Sequence, residues 1–255
     1  MKVILNNLSY TFSIDTKGLV GINSQVEKLK SLLAITLDNV RIIGIWGIRG
    51  MGKTTLARVV YRMVSNQFEA CSFMADIREV SKVHGLHQVQ QTLLNELLMH
   101  SDIKVQAVDN GALMIKTRLR HKNILLVLDD VNDLDQLNKL VGEHDWFGLG
   151  TRVIITTRDE DLLKHKVDEK YEVEGLDYND AFHLFNVQAF RKEHPNEDFL
   201  ELSQAYVDYA NGLPLAIDIL GSFLLGRSKD DWKSELNRLQ AFPKRKKSQY
   251  SSNKF

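Results

Sequence analysis

One eight-residue segment constrains the fold of this chain more than any other. Residues 47–54 read GIRGMGKT, which fits the pattern G-x-x-x-x-G-K-[ST]. The segment follows an apolar run at 41–46 and precedes residues with helical spacing of apolar side chains. Glycine tolerates positive φ and lets backbone amides approach an anion without side-chain obstruction. The segment therefore predicts a strand, a phosphate-binding turn and a helix.

The residue types in this turn predict a site for ADP or ATP with Mg²⁺. Unsatisfied amides and the dipole at the start of the helix favour an anion. Lys53 would bridge the β- and γ-phosphates, and Thr54 would ligate the metal. The alternative is a glycine-rich turn with a solvent-exposed lysine. The predicted nucleotide contacts here are Gly47, Gly50, Met51, Gly52, Lys53, Thr54 and Thr55.

Paired carboxylates follow a second apolar run, at residues 124–128. Asp129 would bind the metal and Asp130 would orient or deprotonate an attacking water, the arrangement of a Walker B strand. Acidic residues after a strand are also common as helix caps, which is the alternative. The glycine-rich turn upstream favours the Walker B interpretation, with Asp129 and Asp130 as the catalytic candidates.

A third motif, VIITTR at residues 153–158, ends in hydroxyls and one cation. The planar guanidinium of Arg158 suits a phosphate, so Arg158 could report whether the γ-phosphate is present. The alternative is a surface arginine paired with Asp159 or Asp161.

Short apolar runs alternate with helical spacing up to residue 175 and then give way to helices alone. Such alternation predicts a parallel sheet covered on both faces. We predict a linker at 1–19, an α/β domain at 20–175, an all-helical subdomain at 176–240 and a disordered tail at 241–255. The apolar stretch 215–225 is expected to be buried nearly all round.

The strands are predicted at 41–46, 71–75, 124–128, 152–157 and 171–173, and the helices at 22–37, 54–65, 87–99, 112–121 and 133–140.

Composition and charge limit the partners, the cysteine chemistry and the location of the protein. The 33 basic and 33 acidic residues cancel, which disfavours nucleic acid and anionic lipid as partners. Cys71 is the single cysteine, so an internal disulfide and a thiolate metal site are excluded. The apolar run at residues 3–5 is too short for a signal peptide or a membrane span. We expect a cytoplasmic protein; the basic run at 243–247 is either a nuclear address or a solvated tail.

Five motifs in order resemble the nucleotide-binding (NB-ARC) domain of plant nucleotide-binding leucine-rich-repeat resistance proteins of the TIR class. They are LVGI at 19–22, FMADIRE at 73–79, LVLDDV at 126–131, TRVIITTRD at 151–159 and GLPL at 212–215. The resemblance implies a five-stranded P-loop NTPase sheet whose sensor strand, part of the motif at 151–159, lies between the phosphate-loop strand and the Walker B strand. It also implies that Val20 and Pro214 lie beside the adenine.

The chain departs from this family at both ends. We expect no TIR domain ahead of Met1, and nothing beyond Gln240 resembles the winged-helix subdomain or the leucine-rich repeats. We therefore expect a truncated module with faster nucleotide exchange and weaker regulation, because contacts that differ between states bias such switches.

Three functions compete. The first is an ADP/ATP-binding switch of plant immune signalling with slow or absent ATP hydrolysis, at most a weak ATPase. The second is a non-enzymatic adaptor or decoy that binds full-length resistance receptors or self-associates. The third is an unrelated P-loop enzyme such as a small-molecule kinase, for which the sequence offers no clear arginine-rich lid.

Overall fold

The computed structural model describes residues 19–99, 102–192 and 197–241, and it divides the chain into two compact units. The first unit ends at Glu174 and the second begins at Gly175. The predicted linker and tail lie outside the described residues, apart from Leu19 and Ala241.

A five-stranded parallel sheet forms the centre of the first unit, which confirms the predicted fold class. Its order is β2-β3-β4-β1-β5, so the sensor strand β4 lies between the phosphate-loop strand β1 and the Walker B strand β3, as the resemblance implied. The strands are β1 Arg41–Trp46, β2 Ala70–Met74, β3 Ile124–Val131, β4 Arg152–Thr157 and β5 Glu169–Glu172.

Side chains alternate along the strands and bury both faces of the sheet. Ile43 and Ile45 belong to a core with the first two helices, whereas Ile42 and Ile155 belong to a core with later helices on the other face. The helices of this unit are α1 Asn23–Leu33, α2 Lys53–Val64, α3 Ile77–His84, α4 Leu86–Leu98, α5 Val108–Leu119 and α6 Leu134–Leu140.

Helix α3 was not predicted from the sequence. Ile77 is its one buried residue and Val80 packs half-buried beside it, so the apolar stripe of this helix is only two residues long. The predicted helix at 22–37 ends early, at Leu33, because Ala34 adopts a left-handed conformation with φ 43°. Strand β3 continues to Val131, three residues past the predicted end at Leu128. The predicted strand was too short because it followed the apolar run, which stops at the acidic Asp129 and Asp130.

Among the described residues of the second unit, four α-helices surround an aromatic core. Tyr206 OH donates a hydrogen bond to Trp232 O at 2.7 Å, and the Trp232 indole donates to Leu224 O at 3.1 Å. Phe185 stacks on Tyr206 with ring centroids 5.8 Å apart. The helices are α7 Tyr178–Phe190, α8 Leu200–Ala210, α9 Pro214–Leu224 and α10 Lys229–Ala241.

The expectation that residues 215–225 are buried nearly all round is wrong. Ile217 and Leu224 are buried, but Leu215, Ile219 and Phe223 are exposed. The physical reason is that α9 packs on α7 and α8 from one side, which covers one stripe of an otherwise apolar helix. Among the helices of the described ranges, none is long and apolar enough to cross a membrane.

Candidate functional site

The glycine-rich turn connects the end of β1 at Trp46 to the start of α2 at Lys53. Gly50 and Gly52 have φ values of 88° and 92°, a region that residues with a β-carbon rarely adopt. Gly52 caps α2, and its carbonyl accepts the Leu56 N–H at 2.8 Å. The first amides of α2, at the end of this turn, have no acceptor within the helix.

Lys53 is buried rather than solvent-exposed, which rules out the alternative of an exposed lysine on a glycine turn. Its exposed fraction is 8%, and its ammonium donates to Gly47 O at 2.7 Å and Ile48 O at 2.9 Å. Burial lowers the pKa of Lys53, and the nearby charge of Arg158 lowers it further, while Asp130 and Asp129 act in the opposite direction. An anion at this position would compensate the lost hydration of the ammonium.

Asp129 is buried and accepts two hydroxyl hydrogen bonds on the same oxygen. Thr54 Oγ1 donates to Asp129 Oδ1 at 2.8 Å, and Thr156 Oγ1 donates to it at 2.6 Å. The predicted metal ligands Thr54 and Asp129 therefore lie in direct contact. A hydroxyl and a carboxylate oxygen are the kind of ligand that Mg²⁺ prefers.

A β-bulge separates the two acidic residues of β3. Leu128 pairs with Ile155 and Val131 pairs with Thr157, so Asp129 and Asp130 together oppose Thr156. Asp130 adopts a left-handed conformation with φ 56°, and its N–H donates to Thr156 Oγ1 at 2.9 Å. Such bulges re-aim side chains near functional sites. Here the bulge sends consecutive carboxylates to different partners.

Two guanidinium groups meet the carboxylate of Asp130. Arg158 Nη2 lies 3.1 Å from Asp130 Oδ2, and Arg78 Nε lies 3.3 Å from the same oxygen. The sequence offered Asp159 or Asp161 as partners of a surface Arg158, but the structure pairs Arg158 with Asp130. Asp130, predicted as a catalytic base, is an ion-pair acceptor between two cations.

The remaining predicted contacts are spread over three elements. Met51 is half-buried against the core beside α2, and Thr55 is in the first turn of α2. Val20 lies half-buried in the turn before α1. Pro214 is the first residue of α9, in the second unit.

The structure adds Thr156 and Arg78 to the residues predicted from sequence. A hydroxyl at the end of the strand beside the Walker B strand was a signal for Thr156. Arg78 belongs to the 73–79 motif, but its helix was not predicted. The residues that converge around the turn are Gly47, Lys53, Thr54, Arg78, Asp129, Asp130, Thr156 and Arg158.

The charges at the site suit a polyphosphate with a divalent cation. Lys53, Arg78 and Arg158 are cationic and Glu79, Asp129 and Asp130 are anionic, so the site offers cationic donors for phosphates beside the helix amides and carboxylates for a metal. Within the described ranges, no group of three or more His, Cys, Asp or Glu side chains forms a metal cluster of its own.

The sequence matches known plant proteins over most of its length. Residues 22–195 match the NB-ARC domain family. Disease resistance protein RUN1 of Vitis rotundifolia is 41% identical over 228 residues, covering 89% of this chain and 17% of RUN1. TMV resistance protein N of Nicotiana glutinosa is 43% identical over 231 residues, covering 88% of this chain and 20% of that protein. The chain thus spans one fifth or less of the length of these relatives.

Solved structures share the fold at low sequence identity. The Cdc6p protein of Pyrobaculum aerophilum superposes with a TM-score of 0.57 at 18% identity, covering 77% of this chain and 59% of that chain. A chain of the Drosophila ORC complex bound to DNA superposes with a TM-score of 0.55 at 13% identity, covering 87% of this chain and 60% of that chain.

Proposed function

The chain belongs to the NB-ARC domain family, and on that premise we propose that it is an adenine-nucleotide-binding switch module of plant disease-resistance signalling. The family match confirms the resemblance found in the five sequence motifs, and the fold is that of a P-loop NTPase. The observation that carries the proposal is the buried Lys53. Its ammonium donates hydrogen bonds to the carbonyls of Gly47 and Ile48, in a turn whose glycines 50 and 52 have positive φ. A buried cation beside free amides favours a polyphosphate.

Each residue of the turn has a distinct role in this proposal. The amides of residues 47–55 and the Lys53 ammonium would hold the phosphates, with Lys53 exchanging its two carbonyl acceptors for phosphate oxygens. Thr54 and Asp129 would hold Mg²⁺, which supplies charge neutralisation to the phosphates when bound. The adenine contacts of Val20 and Pro214 stay predictions from the resemblance.

We expect ATP hydrolysis to be slow or absent. A general base must reach the water with a free acceptor. Asp130 Oδ2 instead contacts Arg158 and Arg78, and its backbone is held in the left-handed region by the bulge. Hydrolysis through Asp130 would require these ion pairs to break or the other oxygen, Oδ1, to reach the water while Oδ2 stays paired. The same contacts suit a sensing role for Asp130, in which its pair with Arg158 responds to the nucleotide that is bound.

Nucleotide titration of the Lys53→Ala variant tests the site directly. Isothermal titration with ADP and ATP in the presence of Mg²⁺ should show binding to the wild type and none to Lys53→Ala. The matched control is Lys30→Ala, which removes a lysine of α1 that pairs with Glu27 at the surface and should bind as the wild type does. Unchanged affinity in Lys53→Ala would refute the assignment of the site.

A non-enzymatic adaptor or decoy is the second candidate, and an apolar surface favours it. The exposed stripe of Leu215, Ile219 and Phe223 on α9 is the kind of surface that contacts another protein. This candidate predicts nucleotide binding without turnover and co-purification with a full-length resistance receptor. Detectable turnover in the isolated chain that Asp130→Asn abolishes would favour the switch with hydrolysis instead.

A cytoplasmic location, with neither nucleic acid nor membrane as a partner, stays a prediction.

A further inference from the structure

We propose that Arg78 is a positioning residue of the nucleotide site, and that it sets how readily Arg158 can leave Asp130 for the γ-phosphate of a bound nucleotide. The inference rests on the proposed function and deepens it. Arg78 comes from α3, a helix outside the phosphate turn, the Walker B strand and the sensor strand. It therefore adds a fourth element to the site.

The geometry places Arg78 and Arg158 in competition for one oxygen. Both approach Asp130 Oδ2, at 3.3 Å and 3.1 Å. The Asp130 side chain is 16% exposed, whereas the side chains of Arg78 and Arg158 are 31% and 35% exposed. The carboxylate is thus the most buried of the three groups and loses most if it is left without a cation.

Two hydrogen bonds of Gln136 connect helix α3 to the segment that follows Asp130. Gln136 of α6 donates to Ser81 Oγ of α3 at 2.8 Å, and Gln136 Oε1 accepts the Asn132 N–H at 3.1 Å. Ser81 is one helical turn beyond Arg78 on the same side of α3. These bonds fix the helix that presents Arg78, so the Arg78–Asp130 pair persists when other partners of Asp130 change.

The consequence differs for ATP and ADP. A γ-phosphate would draw Arg158 away from Asp130, and Arg78 then keeps the carboxylate paired. Without Arg78, the same movement would leave Asp130 partly buried and unpaired, so the penalty falls on ATP. ADP has no γ-phosphate to attract Arg158, so its affinity should depend little on Arg78. Arg78 therefore sets the preference of the site for ATP over ADP.

The test measures the ratio of ATP to ADP affinity in a double-mutant cycle of Arg78→Gln and Asp130→Asn. Asparagine tolerates the left-handed backbone of residue 130 and removes the charge for which the arginines compete. In the wild-type background, Arg78→Gln should lower the ratio about 3- to 10-fold, the size expected when one partner of a partly exposed charged pair is removed. In the Asp130→Asn background the same substitution should leave the ratio unchanged.

The second background separates positioning from a plain loss of positive charge. A direct field effect of Arg78 on the phosphates would lower the ratio equally in both backgrounds, and that result would overturn the proposal. Arg78→Lys retains the charge and should restore part of the ratio. Glu79→Gln is the matched control, because Glu79 Oε1 is the other acid near Arg78 Nε, at 3.2 Å; it should change the ratio less than about two-fold.

The outcomes also distinguish this inference from the proposed function. If the wild type binds neither nucleotide, both fail. If the wild type binds both and Arg158→Ala lowers the ratio while Arg78→Gln does not, the proposed function stands and the role of Arg78 is wrong. Circular dichroism and an ADP affinity close to that of the wild type identify variants that fold. If Arg78→Gln does not fold, Arg78→Lys carries the test, with a smaller decrease expected in the wild-type background alone.

Discussion

At the scale of single residues, one hydroxyl organises both acids of the Walker B strand. Thr156 Oγ1 donates to Asp129 Oδ1 and accepts the Asp130 N–H, at 2.6 and 2.9 Å. Since a hydroxyl is both donor and acceptor, it can satisfy a carboxylate and an amide at the same time. Two carboxylates on consecutive residues are thereby sent in different directions, Asp129 toward Thr54 and Asp130 toward two arginines.

Thr156→Val should therefore damage stability and Mg²⁺-dependent binding together. The substitution keeps the shape of the side chain but leaves the partly buried Asp130 N–H and one acceptor site of the buried Asp129 unsatisfied, which costs about 1–3 kcal/mol in the free energy of unfolding. Thr156→Ser keeps the hydroxyl and should cost less than Thr156→Val. Urea denaturation measures the stability, and titration with and without Mg²⁺ measures binding. Equal losses in the two variants would contradict the role of the hydroxyl.

A second residue-scale prediction concerns Arg152, which is fully buried at the start of β4. Its guanidinium donates to the carbonyls of Ala34 at 2.6 Å and Leu37 at 2.8 Å, within the connection between α1 and β1. Arg152→Met would leave these carbonyls without their donor, and we expect a loss of about 3–5 kcal/mol, since each hydrogen bond to a charged group contributes about 1.5–3 kcal/mol. Arg152→Lys retains the charge with fewer donors and should lose less. Thermal unfolding of both variants measures this, and a loss below about 1 kcal/mol in Arg152→Met would contradict it.

Sequence patterns predicted the residues of this site that belong to one local motif. Lys53 and Thr54 follow from the glycine turn, and Asp129 follows from the apolar strand that precedes it. The contacts of Asp130 could not be predicted, because they depend on a bulge and on Arg78, which is 52 residues away in the sequence. Nothing in a linear pattern reports which distant cation meets a carboxylate.

At the scale of elements, the strands were predicted more closely than the helices. Strands β1 and β4 have the predicted bounds, 41–46 and 152–157, because buried parallel strands read as short apolar runs between polar residues. Helix α3 escaped prediction because it buries a single residue. Helix α9 was placed near its observed position, but its burial was overestimated, since an apolar composition does not say how many neighbours cover a helix.

Edge strand β5 depends on Asp168, which extends the pairing of β5 with β1. The Ile42 N–H donates to Asp168 Oδ2 at 2.7 Å, and the Asp168 N–H donates to Ile42 O at 2.8 Å. Burial acts to raise the pKa of Asp168, but the Ile42 N–H and His144 outweigh it, so the net pKa is lowered. A carboxyl whose pKa is lowered by folding stabilises the fold at pH values above its pKa in the unfolded chain, about 3.9. This contribution is lost as the pH falls through its pKa in the folded state.

Asp168→Asn should remove this pH-dependent contribution. At pH 7 we expect the variant to be less stable than the wild type by up to about 1 kcal/mol, a small value because the side chain is partly exposed. As the pH falls below about 4, the difference should shrink, since the wild-type carboxyl becomes protonated. Urea unfolding at pH 7 and pH 3 measures the difference. A difference that grows toward low pH would contradict the assignment.

The two faces of α9 should respond differently to truncation. Ile217 is fully buried, so Ile217→Ala should cost about 2–5 kcal/mol through lost burial and the cavity left behind. Ile219 is 57% exposed, so Ile219→Ala should stay within about 0.5 kcal/mol of the wild type. Thermal unfolding of the two variants compares the same substitution two residues apart. Similar losses at both positions would show that Ile219 is covered in solution.

At the scale of the whole molecule, the chain consists of two units with separate cores. The proposed phosphate and metal contacts all belong to the first unit, whereas Pro214 belongs to the second. The three tryptophans divide in the same way, with Trp46 and Trp146 in the first unit and Trp232 in the core of the second. Tryptophan fluorescence can therefore follow the unfolding of each unit separately.

Mg²⁺ and ADP should raise the unfolding midpoint of the first unit in a variant that lacks Trp232. At a nucleotide concentration about 100 times the Kd, binding to the folded state contributes about 2.7 kcal/mol, which for a unit of this size corresponds to roughly 5–10 °C. Trp232→Phe leaves Trp46 and Trp146 as reporters of that unit, and adding Lys53→Ala should abolish the increase. The paired variant Trp46→Phe with Trp146→Phe reports the second unit through Trp232. An increase that survives Lys53→Ala would mean that the ligand binds somewhere other than the glycine turn, because no other residue of that turn places an ammonium on its carbonyls.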